Sequence, residues 1–160
     1  MTKFKLVSTA FLMAMSFMSF GQESSDAQST PDATKVIAVV NRANWCGVCK
    51  ANGERFGNTI MPYTTKGLAI VMNDLTDETT IAKSKADLEK SSLYKTIYKT
   101  NRKGVGRMMQ ACGLTHGKNK TMASGIVTFI DAKTLNVLSE TSIAISDAEM
   151  KATIDNLLKS

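Results

Sequence analysis

The chain has 160 residues, 43% of them hydrophobic, with 20 basic against 14 acidic residues and a formal net charge of +6. That length suits one domain, and three cysteines, Cys46, Cys49 and Cys112, are too few for a disulfide-built scaffold, so a core must come from ordinary burial. No basic motif interleaved with aromatics is present, which argues against a nucleic-acid partner.

The first predicted element is not part of the domain. "MTKFKLVSTAFLMAMSFMSFGQ" carries Lys3 and Lys5, then an apolar run from Leu6 to Phe20, with the small residues Ser19 and Gly21 behind it. This pattern predicts an export signal over residues 1–21, too short for the roughly 20 apolar residues of a membrane span. After cleavage no stable membrane anchor is expected. The mature chain then begins near Gln22, and losing Lys3 and Lys5 leaves a net charge of +4. Residues 22–34, "QESSDAQSTPDAT", read as a flexible polar leader. Export implies an oxidising compartment, periplasmic or extracellular, where disulfides persist.

"KVIAVVN", Lys35 to Asn41, is a continuous β-branched run of the kind a buried strand shows. "NWCGVCK" follows and opens a helix reaching about Met61, with Val48, Phe56 and Ile60 on one face and Pro62 at its end. "GLAIVMNDL" is a second apolar strand. A polar-basic region from about Thr79 to Thr100 predicts one long helix, with Ile81, Leu88, Leu93, Ile97 and Tyr98 as its apolar side. Lys83 to Lys120 holds ten basic residues against Asp87 and Glu89, which reads as a solvated helix surface. A short helix is predicted over Arg107 to Cys112, then a loop, "GLTHGKNKT". "SGIVTFID" and "LNVLSETS", joined by "DAKT", predict an antiparallel hairpin. The last piece starts with Ser146-Asp147-Ala148-Glu149, a helix-start signature, and continues with Met150, Ile154, Leu157 and Leu158 on one stripe. Early strands separated by helices imply right-handed parallel crossovers. The expected fold is α/β, a mixed central sheet with helices on both faces.

Cys46 and Cys49 carry the chemistry. At the junction of strand and helix, Cys46 meets first-turn N–H groups that lack partners and the positive end of the helix dipole, which favour its thiolate. Residues three apart on a helix are neighbours, so the two sulfurs can close a disulfide. The expected geometry has Cys46 facing outward as nucleophile and Cys49 shielded, one turn deeper, as the resolving thiol. A four-residue staple restrains little of the unfolded chain, so stability is a poor reason for the pair.

"WCGVCK" resembles the thioredoxin motif, with Val48 in place of proline. The upstream "KVIAVVNRANW", the following helix, and the closing "SGIVTFIDAKTLNVL" with its terminal helix resemble the same family. The resemblance covers residues 35–160, with a helical insertion around 76–120. It implies a thioredoxin-like three-layer fold and thiol–disulfide oxidoreductase activity without an organic cofactor. Trp45 would shield the pair and Lys50 would add positive field. The implied partners are protein or small-molecule thiols and disulfides and a redox partner protein, met by a monomer. Three positions depart from the family pattern. Val127 stands where the family has a cis-proline opposite the cysteines. Val40 stands where the family has a buried, proton-relaying aspartate, and Glu54 replaces the proline within the helix. These departures suit an exported relative serving particular partners rather than a general reductase.

A second reading is a metal-binding or partner-binding module on the same fold. Cys46, Cys49, Cys112 and His116 form C-x2-C…C-x3-H, a legitimate tetrahedral zinc set, and Met108 and Met109 would suit Cu(I). Cys112 is alternatively a buried apolar side chain or a third redox thiol, and His116 a solvated loop histidine.

Overall fold

The computed structural model describes residues 34–104, 107–108 and 122–160. The segment expected to be an export signal, nearly all of the expected leader, and the stretch with Met109, Cys112 and His116 lie outside the described residues.

Four strands form one sheet in the order β2-β1-β3-β4: β1 Val36–Arg42, β2 Leu68–Asp74, β3 Ile126–Asp131 and β4 Val137–Ser142. β1 pairs with β2 in parallel, Val36 opposite Leu68. It pairs with β3 in antiparallel, Val40 opposite Val127, and β3 pairs with β4 as the expected hairpin. β1 is central because its apolar run serves both faces. Val36, Ala38 and Val40 enter one core cluster and Val39, with Ile37 beside it, enters the other. A strand covered on both sides needs no polar alternation.

Helix α1 spans Gly47–Thr59 and runs into a 3₁₀ turn over Met61–Lys66; α4 spans Asp147–Lys159. Ile60 and Tyr63 after α1, and Met150 and Ile154 of α4, share one cluster with Val127 and Phe129. Phe129 and Ile154 are fully buried, each contributing about 1.5–3 kcal/mol of transfer free energy. The opposite face is covered by α2, Glu78–Lys90, and α3, Tyr94–Asn101, through Leu88, Leu93 and Ile97. Helices on both faces of a mixed sheet make a three-layer α/β arrangement.

The single helix expected from Thr79 to Thr100 is instead two. Ser92 takes a left-handed conformation, φ 60°. The Ser92 N–H donates to Glu89 O at 3.1 Å and the Leu93 N–H to Leu88 O at 2.8 Å. This pair of bonds is a Schellman motif, and its hydrophobic contact is the buried pair Leu88 and Leu93. Helical periodicity survives the break because both residues still point inward, so the pattern alone hides it.

A buried polar network ties α3 to the ends of β1 and β2. The Asn41 amide donates to Asn101 Oδ1 and, at 3.0 Å, to Ala123 O. Asn73 donates to Asn41 Oδ1 at 2.8 Å, and Asn101 donates to Glu140 Oε2 at 3.3 Å. All three asparagines are buried, and each group left unpaired there would cost about 1–3 kcal/mol.

Candidate functional site

The cysteines sit where β1 hands over to α1. Residues 43–46 of this junction are held by the β2–α2 loop. Leu75 N–H donates to Arg42 O at 2.8 Å, Asn44 N–H to Thr76 Oγ1 at 3.0 Å, and the Trp45 indole N–H to Thr76 O at 3.1 Å. Arg42 and Asp74 close the clasp with a 3.2 Å ion pair. The clasp leaves Cys46 in extended conformation, φ −79° and ψ 109°, as the N-cap of α1. Its Sγ accepts from the Cys49 N–H at 3.2 Å. The two sulfurs are joined as a disulfide, with the Cα atoms 5.2 Å apart, within the span such a bond requires.

The exposures of the two sulfur residues are the reverse of those expected. Cys46 is 1% exposed, within the cluster that holds Val39, Ala43, Leu75 and Met122. Cys49 is half-buried and lines an open groove of about 420 Å³. The reason is the N-cap geometry: an extended residue at the end of a buried strand stays at the depth of the sheet, while the first helical turn rises from it. The groove is lined by the apolar Val40, Ala43, Phe56, Met72 and Ile143 and by the cations Arg42 and Lys50.

The supporting residues divide. Lys50 is exposed and faces the groove. Trp45 is half-buried, packed against the cluster that contains Cys46, and anchored through its indole to Thr76. Val127 is not in a loop facing the cysteines. It lies inside β3, fully buried, and outside the groove's described lining; the described residues contain no cis peptide bond. The β1 pairing draws it into the ladder, and a non-proline residue has no cause to adopt cis. Val40 is buried beneath the groove, and no carboxylate is among the described lining residues. Glu54 is exposed on α1.

Of the four candidate metal ligands, Cys46 and Cys49 are consumed in the disulfide, and Cys112 and His116 lie outside the described residues. Among the described residues no three His, Cys, Asp or Glu side chains are grouped to hold a metal. Met108 is exposed.

The groups with displaced pKa stand away from the pair. The backbone N–H and hydroxyl of Thr134 hold Asp131 below the usual aspartate value. Ser146 does the same for Glu149 through its hydroxyl and its backbone N–H. Burial, then a bond to Asp155, pushes the Tyr63 phenol up.

Sequence reasoning missed the Asn41–Asn73–Asn101 network and the groove. The network did leave a signal, since Asn41 and Asn73 stand at the ends of apolar strand runs where a polar residue needs a partner. The groove left none, because its lining comes from four separate segments.

No protein-family model matches this chain, and no curated protein does. Among solved structures the chain is similar to the "Solution structure of a putative protein disulfide isomerase from Bacteroides thetaiotaomicron". The two share 17% identity and a TM-score of 0.45, over 81% of this chain and 77% of that one.

Proposed function

We propose that this protein is an exported thiol–disulfide oxidoreductase, acting on protein or small-molecule disulfides in the cell envelope or outside it. The observation that carries the reading is the Cys46–Cys49 disulfide at the start of α1. Once reduced, Cys46 is left at a helix N-terminus with an N–H aimed at its sulfur and Lys50 one turn on, a setting that favours a thiolate over an isolated buried thiol. The groove beside Cys49 gives a partner access to the second sulfur. Lys3, Lys5 and the apolar run after them support export. A partner that reoxidises or rereduces the pair completes the cycle, and the protein works as a monomer.

The test is to purify the mature chain without chelator or reductant and weigh it by native mass spectrometry, then titrate it against glutathione. The expected product has lost two protons at Cys46 and Cys49, holds no metal, and titrates as a single two-electron couple. Exchange activity is expected to survive Cys112→Ser largely intact. A product carrying zinc or copper, or a pair inert to dithiols, would overturn the reading.

A further inference from the structure

The sheet has two edge strands, and they are built differently. β4 carries Ser139, Glu140, Thr141 and Ser142, and its pairing with β3 is interrupted by a register shift at Phe129/Ile130. Polar side chains and irregular pairing keep an edge from adding further strands. β2 has neither: its register with β1 is unbroken, and Leu68 to Asn73 hold no charge and no proline. The run is as apolar as an interior strand, yet Ala69, Ile70 and Val71 are only half-buried and Met72 is 42% exposed. The backbone shows where the gap lies. The Val36 N–H donates to Gly67 O at 3.2 Å and the Leu75 N–H to Arg42 O at 2.8 Å. Alternate residues of a parallel ladder serve each neighbour, so Ala69, Val71 and Asn73 turn their backbone groups to β1, and Leu68, Ile70, Met72 and Asp74 turn theirs outward. Ser84 of α2 serves Asp74, its Oγ accepting the Asp74 N–H at 2.9 Å and donating to Asp74 O at 3.4 Å. Among the described residues, nothing bonds the outward groups of Leu68, Ile70 and Met72.

We propose that the outer edge of β2 pairs antiparallel with the same edge of a second copy of this chain, about a two-fold axis at Ile70. Ile70 then faces Ile70 of the second copy, and Leu68 faces Met72, each facing pair exchanging N–H···O bonds in both directions. This register satisfies every outward group that Ser84 does not reach. Charge selects the same occupant and the same direction. Lys66, exposed, stands just before β2, while Asp74 ends the strand and exposed Asp77 follows it. Antiparallel self-pairing brings Lys66 of each copy to Asp74 of the other, twice by symmetry, whereas parallel pairing of the two edges would set like charges together. Ala69 to Met72 lose their remaining exposure in the same contact, which supplies apolar burial beside the backbone bonds. Each copy brings its own Cys46–Cys49 pair, so the unit of exchange remains the single chain.

The experiment sediments the oxidised mature chain over a concentration series from about 1 µM to about 1 mM and follows amide hydrogen exchange at both ends of the series. The expected result is a monomer that becomes a dimer as concentration rises, with the Leu68, Ile70 and Met72 amides gaining protection in step. The Ala69 and Val71 amides, already in the ladder to β1, should be protected throughout. A monomer across the whole series would overturn the proposal. So would a dimer whose Ile70 and Met72 amides still exchange freely, since another surface would then hold it. Protection of those amides in a monomer would also overturn it, because residues 22–33 of the same chain would then cover the edge. Lys66→Glu supplies a variant at an exposed position, where the fold is not at stake. It should weaken the dimer at least about tenfold at low salt, as like charges meet at both ends of the pairing, and unchanged self-association would refute the antiparallel register.

Discussion

Helices α1 and α4 begin in opposite ways, although both have a side-chain cap. At α4, Ser146 and Glu149 form a reciprocal capping box: the Glu149 N–H donates to Ser146 Oγ at 3.2 Å, and the Ser146 N–H to Glu149 Oε2 at 2.9 Å. Asp147 and Glu149 add negative charge to the first turn. At α1 the cap is a sulfur, and no acidic residue occupies the first turn. The difference teaches what each end is for. α4 neutralises its N-terminal potential with fixed carboxylates and gains stability. α1 leaves that potential open, so it is available to a sulfur that becomes charged only when the pair is reduced. The two ends also differ in what holds them. α4 is started by its own four residues, whereas the start of α1 hangs from the β2–α2 loop.

Four substitutions and one titration would break or sharpen that contrast. Cys46→Ser keeps an oxygen cap but removes the sulfur. Catalysed dithiol oxidation should fall by more than about 100-fold because one thiol cannot complete two exchange steps. Urea unfolding should meanwhile show a folded protein; retained turnover would disprove the catalytic role. Asn41→Ala strips partners from Asn73, Asn101 and Ala123. It should cost about 2–4 kcal/mol by urea unfolding, since several buried groups lose their bonds together. Ser146→Ala removes a cap made within its own helix and should cost about 1 kcal/mol with exchange unchanged.

Gly47→Glu gives α1 the acid it lacks. A Cβ at Gly47 meets nothing within 4 Å, so the fold should gain about 0.5–1 kcal/mol from helix propensity and dipole charge. The Cys46 thiol pKa should rise, read from the ultraviolet absorbance of the thiolate as the reduced pair is titrated. A stabilised variant with an unchanged thiolate titration would show that the helix end does not tune the sulfur. The smallest effect is on acidification. Glu149 has a folded pKa below its ordinary 4.5, so its contribution to stability is present above 4.5 and is lost as pH falls through the lower folded value. Ser146→Ala should shrink that loss. Asp131, also lowered, keeps part of the acid sensitivity in either chain.

The legible parts of the sequence were those whose cause is local. The strand runs were readable because burial on both faces demands unbroken apolar residues, and the observed limits lie within two residues of the expected ones. The start of α4 was readable because its cap is complete within Ser146–Glu149. The closeness of Cys46 and Cys49 followed from helical spacing. The break at Ser92 was not readable, because a left-handed serine has no compositional mark and Leu88 and Leu93 keep the helical period across it. The resemblance set Val127 opposite the cysteines, where the family has its cis-proline, whereas pairing with Val40 holds it in the ladder.

By itself, then, the sequence determined that β1, α1 and the later hairpin exist and that two sulfurs meet at one helix end, since each follows from contacts within a few residues. Only the tertiary structure decided which sulfur residue is the more exposed. Depth is set jointly by the sheet beneath Cys46, the loop that clasps its junction, and the groove that β1, β2, α1 and Ile143 leave open beside Cys49. Solvent access is a property of what surrounds an atom, and the residues surrounding these two come from segments far apart in the chain.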